Sequence, residues 1–210
     1  MNLYLIRHGE SMGNKLGKIQ GTEDFPLSPL GEKQAAELGS YFKAIPLDYI
    51  YSSDLTRAHE TAKAIGQVKG LPVEATALAR EVHLGPFQGK TRAEIYEHYP
   101  ETKKTTILTS GIEGTETVEE LTKRCNHFRS ELLMKHRGEN VAIVSHGGFI
   151  SIFLMYLVVG EQWYNFHRPF RIDNTNITRV EWTEDDRFFI HYIGRNNHLE
   201  TLSNKSNTLL

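Results

Sequence analysis

Two histidines stand in this chain where an apolar run breaks off: Arg7-His8-Gly9-Glu10 follows Leu3 to Ile6, and Ser145-His146-Gly147 follows Val141 to Val144. Ser52 to Arg57 follows Tyr49 to Tyr51 in the same way, and Arg80-Glu81 follows a shorter run around Val73. Apolar runs of this kind read as buried strands, and in open α/β sheets ligands bind beyond the carboxyl ends of the strands. The segments are therefore expected to meet in one pocket. Two arginines, two histidines and a carboxylate suit a phosphate monoester, because guanidinium forks pair bidentately with phosphate oxygens and stay charged at any working pH. The helix expected after Gly147 would add backbone N–H donors and the positive end of its dipole. The implied ligand is a small dianion. Spacing leaves open which of His8 and His146 attacks, and Glu10, Asp54 and Glu116 compete with Glu81 for the role of the carboxylate.

The elements that must position these residues follow from periodicity. Ser28-Pro29 reads as an N-cap with proline in the first helical position, and Leu38, Tyr41, Phe42 and Ile45 recur at helical spacing. Leu55, Ala58, Ala62 and Ile65 mark the inner face of a second helix that stops near Gly70 and carries Arg57 about one turn in. Thr91 and Glu94 box a short helix ended by Pro100, within a cover segment from Gly85 to Gly114. Thr117 and Glu120 box a longer helix running to Gly138, and Phe149 to Val159 reads as a buried helix. Ile177 to Trp182 and Phe188 to Ile193 pair through the polar turn Thr183 to Arg187. Strands alternating with helices predict a three-layer α/β/α domain with a mostly parallel mixed sheet of about six strands. One domain over 1–195 and a loose tail over 196–210 are expected.

At this point the chain resembles the histidine phosphatase superfamily, also called the phosphoglycerate mutase-like family. Leu5 to Ser11 with Asn14, Gln20-Gly21, Asp24 to Gly31 with Gln34-Ala35, Ser52 to Leu55 with Arg57-Ala58 and Thr61-Ala62, and Ser145 to Gly148 stand in that family's order. The resemblance runs from residue 3 to about residue 182 and points to its phosphatase branch. It implies a phosphoglycerate mutase-like fold and a phosphohistidine intermediate on His8. Arg7, Arg57 and His146 would hold the phosphoryl oxygens, with Asn14 and the Gly147 amide as lesser contacts, and Glu81 would be the general acid and base. Gln20, Gly21 and His83 are further candidates for binding substrate, and His83 and Phe87 for lining its pocket. No metal and no cofactor is called for, because arginines supply the positive charge.

Composition narrows the partners. With 24 Lys+Arg against 26 Asp+Glu, a net charge of -2 gives no general reason to bind nucleic acid or an anionic membrane. The apolar stretch from Phe149 to Val159 is too short to span a bilayer, and no leader peptide is evident. The single Cys125 suits a reducing compartment and falls on the inner stripe of its helix, so a cytoplasmic protein is expected. The expected partner is a small phosphorylated metabolite; oligomeric state is left open. The competing activities are a phosphoglycerate mutase and a non-catalytic module that binds phosphorylated proteins. Against the mutase, Glu81 is followed by Val82-His83-Leu84-Gly85 rather than an Arg-His-Tyr-Gly segment. Tyr96, Tyr99, Lys103 and Lys104 of the cover face either substrate or solvent.

Overall fold

A computed structural model describes residues 1–103, 106–200 and 202. Its strands are β1 (Asn2–Arg7), β2 (Tyr49–Ser52), β3 (Val73–Ala75), β4 (Asn140–Ser145), β5 (Ile177–Trp182) and β6 (Phe188–Arg195). The helices are α1 (Met12–Lys15), α2 (Pro29–Phe42), α3 (Thr56–Lys69), α4 (Arg92–His98), α5 (Val118–Lys135) and α6 (Gly147–Val159). The strands form one six-stranded sheet in the order β3-β2-β4-β1-β5-β6. β3, β2, β4 and β1 run parallel, while β5 and β6 close the edge antiparallel. This is the mixed α/β architecture expected from the alternation of elements.

The apolar runs are continuous because the sheet is covered on both faces. Leu3 and Leu5 of β1, with Val141 and Ile143 of β4, join the core under α5 and α6. Their neighbours Tyr4, Ile6, Ala142 and Val144 join the opposite core under α2 and α3. A strand whose alternate side chains enter two cores has no position left for a polar residue. Its first polar residues therefore fall at its carboxyl end.

The connection from β1 leads to α2 on one face, and that from β4 leads to α6 on the other. The backbone thus opens between the ends of two adjacent parallel strands, which is where an α/β sheet forms a crevice. His8 N–H donates to the Ser145 carbonyl across this gap at 3.0 Å. The β1 loop packs tightly on α2: a Cβ on Gly9 would stand 2.6 Å from the Gly31 carbonyl oxygen.

Several expectations need correction. The segment between β1 and α2 contains α1, a four-residue helix capped by Ser11 and Asn14, too short to show an amphipathic period. The cover carries α4 as expected, but also single turns of 3₁₀ helix at Gly85–Phe87, Pro100–Lys103 and Ile107–Thr109. Residues 196–199 are not loose: Asn197–Leu199 form a further 3₁₀ turn, and His198 is buried against Tyr41 with its Nε2 3.0 Å from the Thr175 hydroxyl. The remainder of the expected tail, residues 201 and 203–210, and Lys104 of the cover, lie outside the described residues. Among the described residues no helix is long and apolar enough to cross a membrane.

Candidate active site

The end of β1 delivers Arg7 and His8 into a cleft of about 510 Å³, whose wall also includes Asn14, Gln20, Gly21, Arg57, Glu81 and Gly147. His146 is fully buried against His8, their ring centroids 5.1 Å apart. Two sequence candidates stand off this assembly, and the first is His83. It is exposed, its Nδ1 faces the Thr22 hydroxyl at 2.7 Å, and its backbone N–H is held by Glu116. Phe87, the other candidate for the pocket, is buried in the core against Tyr99.

His8 Nδ1 lies 2.6 Å from the Gly9 carbonyl oxygen. A carbonyl can only accept, so Nδ1 carries the proton and the lone pair of the neutral ring is on Nε2. Burial, then Arg57 and Arg7, push the His8 pKa well below its ordinary value. The same causes, in the same order, depress His146, with His8 itself adding to the effect. Both rings are thus held uncharged beside two fixed cations.

The arginines are held by backbone carbonyls. Arg57, the second residue of α3 rather than a turn into it, donates to Gly21 O at 2.7 Å and Glu23 O at 2.8 Å. Arg7 donates to Ile172 O at 2.8 Å. Among the described residues neither buried Nε has a hydrogen-bond partner, and neither ring nitrogen of His146 has one. Buried polar groups without partners are costly, and an acceptor-rich anion is the kind of group that would satisfy donors such as these. Burial lowers the Arg57 pKa to about 10, which leaves it charged at neutral pH.

Glu81 is the one carboxylate among the lining residues. The alternatives are engaged elsewhere: Glu10 accepts from the Ser28 hydroxyl, Asp54 pairs with Arg80, and Glu116 pairs with Arg124. Glu81 accepts from the N–H groups of Phe149 at 2.8 Å, Val82 at 3.0 Å and Gly148 at 3.1 Å. The N-terminal turn of α6, expected to hold the anion, therefore spends its Gly148 and Phe149 donors on this carboxylate instead. Among the described residues no group of three or more His, Cys, Asp or Glu is gathered for a metal ion.

Residues 3–193 match the family model described as the histidine phosphatase superfamily, branch 1. The chain belongs to the histidine phosphatase superfamily. It is 29% identical to a probable phosphoglycerate mutase of Citrobacter koseri, over 88% of this chain and 86% of that one. The fold superimposes on Bacillus stearothermophilus YhfR with a TM-score of 0.84 at 29% identity, covering 95% of this chain and 99% of the other. A mycobacterial glucosyl-3-phosphoglycerate phosphatase gives 0.80 at 27% identity, covering 91% and 97%. Phosphatases and mutase-like proteins thus both stand among the relatives of this chain.

Other residues hold the site without a motif to reveal them. Asn174 donates to the His8 carbonyl at 3.0 Å and to Asn14 Oδ1 at 3.2 Å. Thr175, buried and left-handed at φ 54°, donates its N–H to the Arg7 and His8 carbonyls. Asp24 caps α3 from a distant loop, accepting from the Thr56 N–H and hydroxyl, and lies 4.0 Å from Arg57. These contacts join residues far apart in the chain, so no local pattern announces them.

Proposed function

We propose that this chain is a metal-independent phosphatase of small phosphomonoesters, working through a phosphohistidine on His8. The observation that carries this reading is the buried, uncharged His8, with Nδ1–H tied to the Gly9 carbonyl, set among Arg7, Arg57 and His146. Nε2 attacks phosphorus in line as the bond to the leaving oxygen breaks. Phosphoryl transfer has a loose transition state, so alignment and positive charge around the equatorial oxygens supply most of the catalysis. Arg7 and Arg57 supply the charge, and the uncharged His146 helps to align the phosphoryl group, with Asn14 and Gly147 at the margin.

Glu81 protonates the departing alkoxide. It then takes a proton from the water that attacks the phosphohistidine, breaking the N–P bond and releasing phosphate. One fixed carboxyl serves both half-reactions, and such proton transfer contributes roughly 10²- to 10⁴-fold.

A phosphoglycerate mutase is the second reading, favoured by the name of the curated relatives. It uses the same first step and returns the phosphoryl group to another hydroxyl. One set of assays separates the two. Hydrolysis of p-nitrophenyl phosphate that persists in excess chelator and vanishes in His8→Ala, with an acid-labile phosphoryl adduct on the wild type, is the outcome expected. Interconversion of 3- and 2-phosphoglycerate faster than phosphate release would overturn the phosphatase in favour of the mutase.

A further inference from the structure

The cleft wall is strongly one-sided in charge although the chain as a whole is nearly balanced. Beyond Arg7 and Arg57 it presents Lys18, Arg92 and Arg168, against Glu81 alone. These three cations come from separate segments: the turn after α1, the first residue of α4, and the loop after α6. None of them is in a salt bridge to a described residue.

Arg168 is the informative one. Elsewhere Arg80, Arg124, Arg137, Arg171 and Arg187 each find a carboxylate oxygen within 3.1 Å. Arg168 is half-buried, yet its side-chain hydrogen bond goes to the neutral Thr106 hydroxyl at 2.8 Å. Burial lowers its pKa, and no carboxylate acts to raise it. Taking a guanidinium out of water without a counter-charge is unfavourable, and folded proteins normally pair such groups. Arg92 faces the Tyr96 hydroxyl at 3.5 Å, and Lys18 feels Glu94, a carboxylate already engaged by the Thr91 N–H and hydroxyl. The cleft also has room for more than a phosphoryl group, with Ile19, Leu84 and Phe170 on its wall to cover a carbon skeleton.

We propose that Arg168, with Lys18 and Arg92, forms a second anion subsite, so that the preferred substrate is a phosphomonoester bearing a further carboxylate or phosphate. This inference rests on the phosphomonoester reading above. The subsite would bind the remote group equally in ground and transition states, and its loss would act mainly on KM.

Matched pairs test it: 3-phosphoglycerate against glycerol 3-phosphate for a carboxylate, and fructose 1,6-bisphosphate against fructose 6-phosphate for a phosphate. At least one pair is expected to show a kcat/KM preference of ~10- to 100-fold for the doubly anionic member, the range of one charged hydrogen bond. The pair that shows it names the second group. Arg168→Met should shrink that ratio through the KM of the anionic member, and Arg168→Lys should retain most of it. Should Arg168→Met fail to fold, Lys18→Met and Arg92→Met together provide the same reading from the subsite's other members. Ratios near one in both pairs, or a ratio that these changes leave intact, would overturn the subsite while leaving the phosphatase standing. If no compound releases phosphate, the phosphatase reading fails instead. Titration calorimetry with the same pairs then decides the subsite, and equal affinities for both members would overturn it.

Discussion

At the scale of single residues, the site assigns Glu81 its place by elimination as much as by contact. Three N–H groups point at its carboxylate, while Glu10, Asp54 and Glu116 are spent on Ser28, Arg80 and Arg124. On the proposed mechanism, only a poor leaving group needs a proton from Glu81. Glu81→Gln should therefore slow hydrolysis of an alkyl phosphate by roughly 10²-fold or more and that of p-nitrophenyl phosphate far less. Equal losses on the two esters would remove Glu81 from the role. Gly148 tests the same carboxylate from its partner's side. A Cβ there would lie 2.6 Å from Glu81 Oε1 and 3.0 Å from Leu108 Cδ2, so Gly148→Ala must displace the carboxylate. Its expected phenotype is a lower kcat on alkyl phosphates with little change on the activated ester, read from steady-state rates on both.

At the scale of elements, the starts of helices do most of the positioning. Ser28 caps α2 through the Gly31 N–H at 3.0 Å and donates to Glu10 at 2.6 Å, tying the loop after His8 to that helix. Ser28→Ala is expected to cost about 1–2 kcal/mol of stability, measured as a lowered urea midpoint at constant m. An unchanged midpoint would mean that the Gly9 to Gly31 packing alone holds the junction. α3 differs in kind, because its N-cap residue Leu55 offers no side-chain oxygen and Asp24 caps it through Thr56. That capping brings the loop bearing Gly21 and Glu23, the carbonyl anchors of Arg57, against the helix that carries Arg57 itself.

For the whole molecule, the uncharged buried histidines make stability depend on pH. His8 and His146 are depressed well below their ordinary value, first by burial, and burial takes His198 to about 4. In the unfolded chain each titrates near 6.5, so below that pH the unfolded state binds protons that the folded state refuses. Their contribution is fully present above about pH 6.5 and is lost as the pH falls toward the folded values, each group contributing up to ~1.4 kcal/mol per pH unit. The urea midpoint should thus fall between about pH 7 and about pH 5, before most carboxylates titrate. His198→Gln should flatten that fall by up to one proton's worth. A midpoint that stays level over this range would show that these rings protonate freely in the folded protein.

The sequence by itself determined the strands and helices of the sheet, the membership of the family, and the cleft-facing Arg7, His8, Arg57 and Glu81 with the buried His146. The elements rest on local signals: an apolar run long enough for a doubly covered strand, a cap three residues before its partner, a polar cluster where the strand stops; the choice of Glu81 over Glu10, Asp54 and Glu116 rests on the resemblance to the family. Tertiary structure alone decided that Glu81 accepts from the N–H groups of the first turn of α6, that His83 and Phe87 stand off the cleft wall, and that His198 packs back against Tyr41. It also decided that Asn174 and Thr175 hold the His8 carbonyl and that Arg168 reaches the cleft half-buried and without a carboxylate. The reason is physical: a backbone carbonyl, a remote cap and an unpaired charge take their meaning from neighbours 32 to 166 residues away along the chain, and periodicity encodes only the nearest ones.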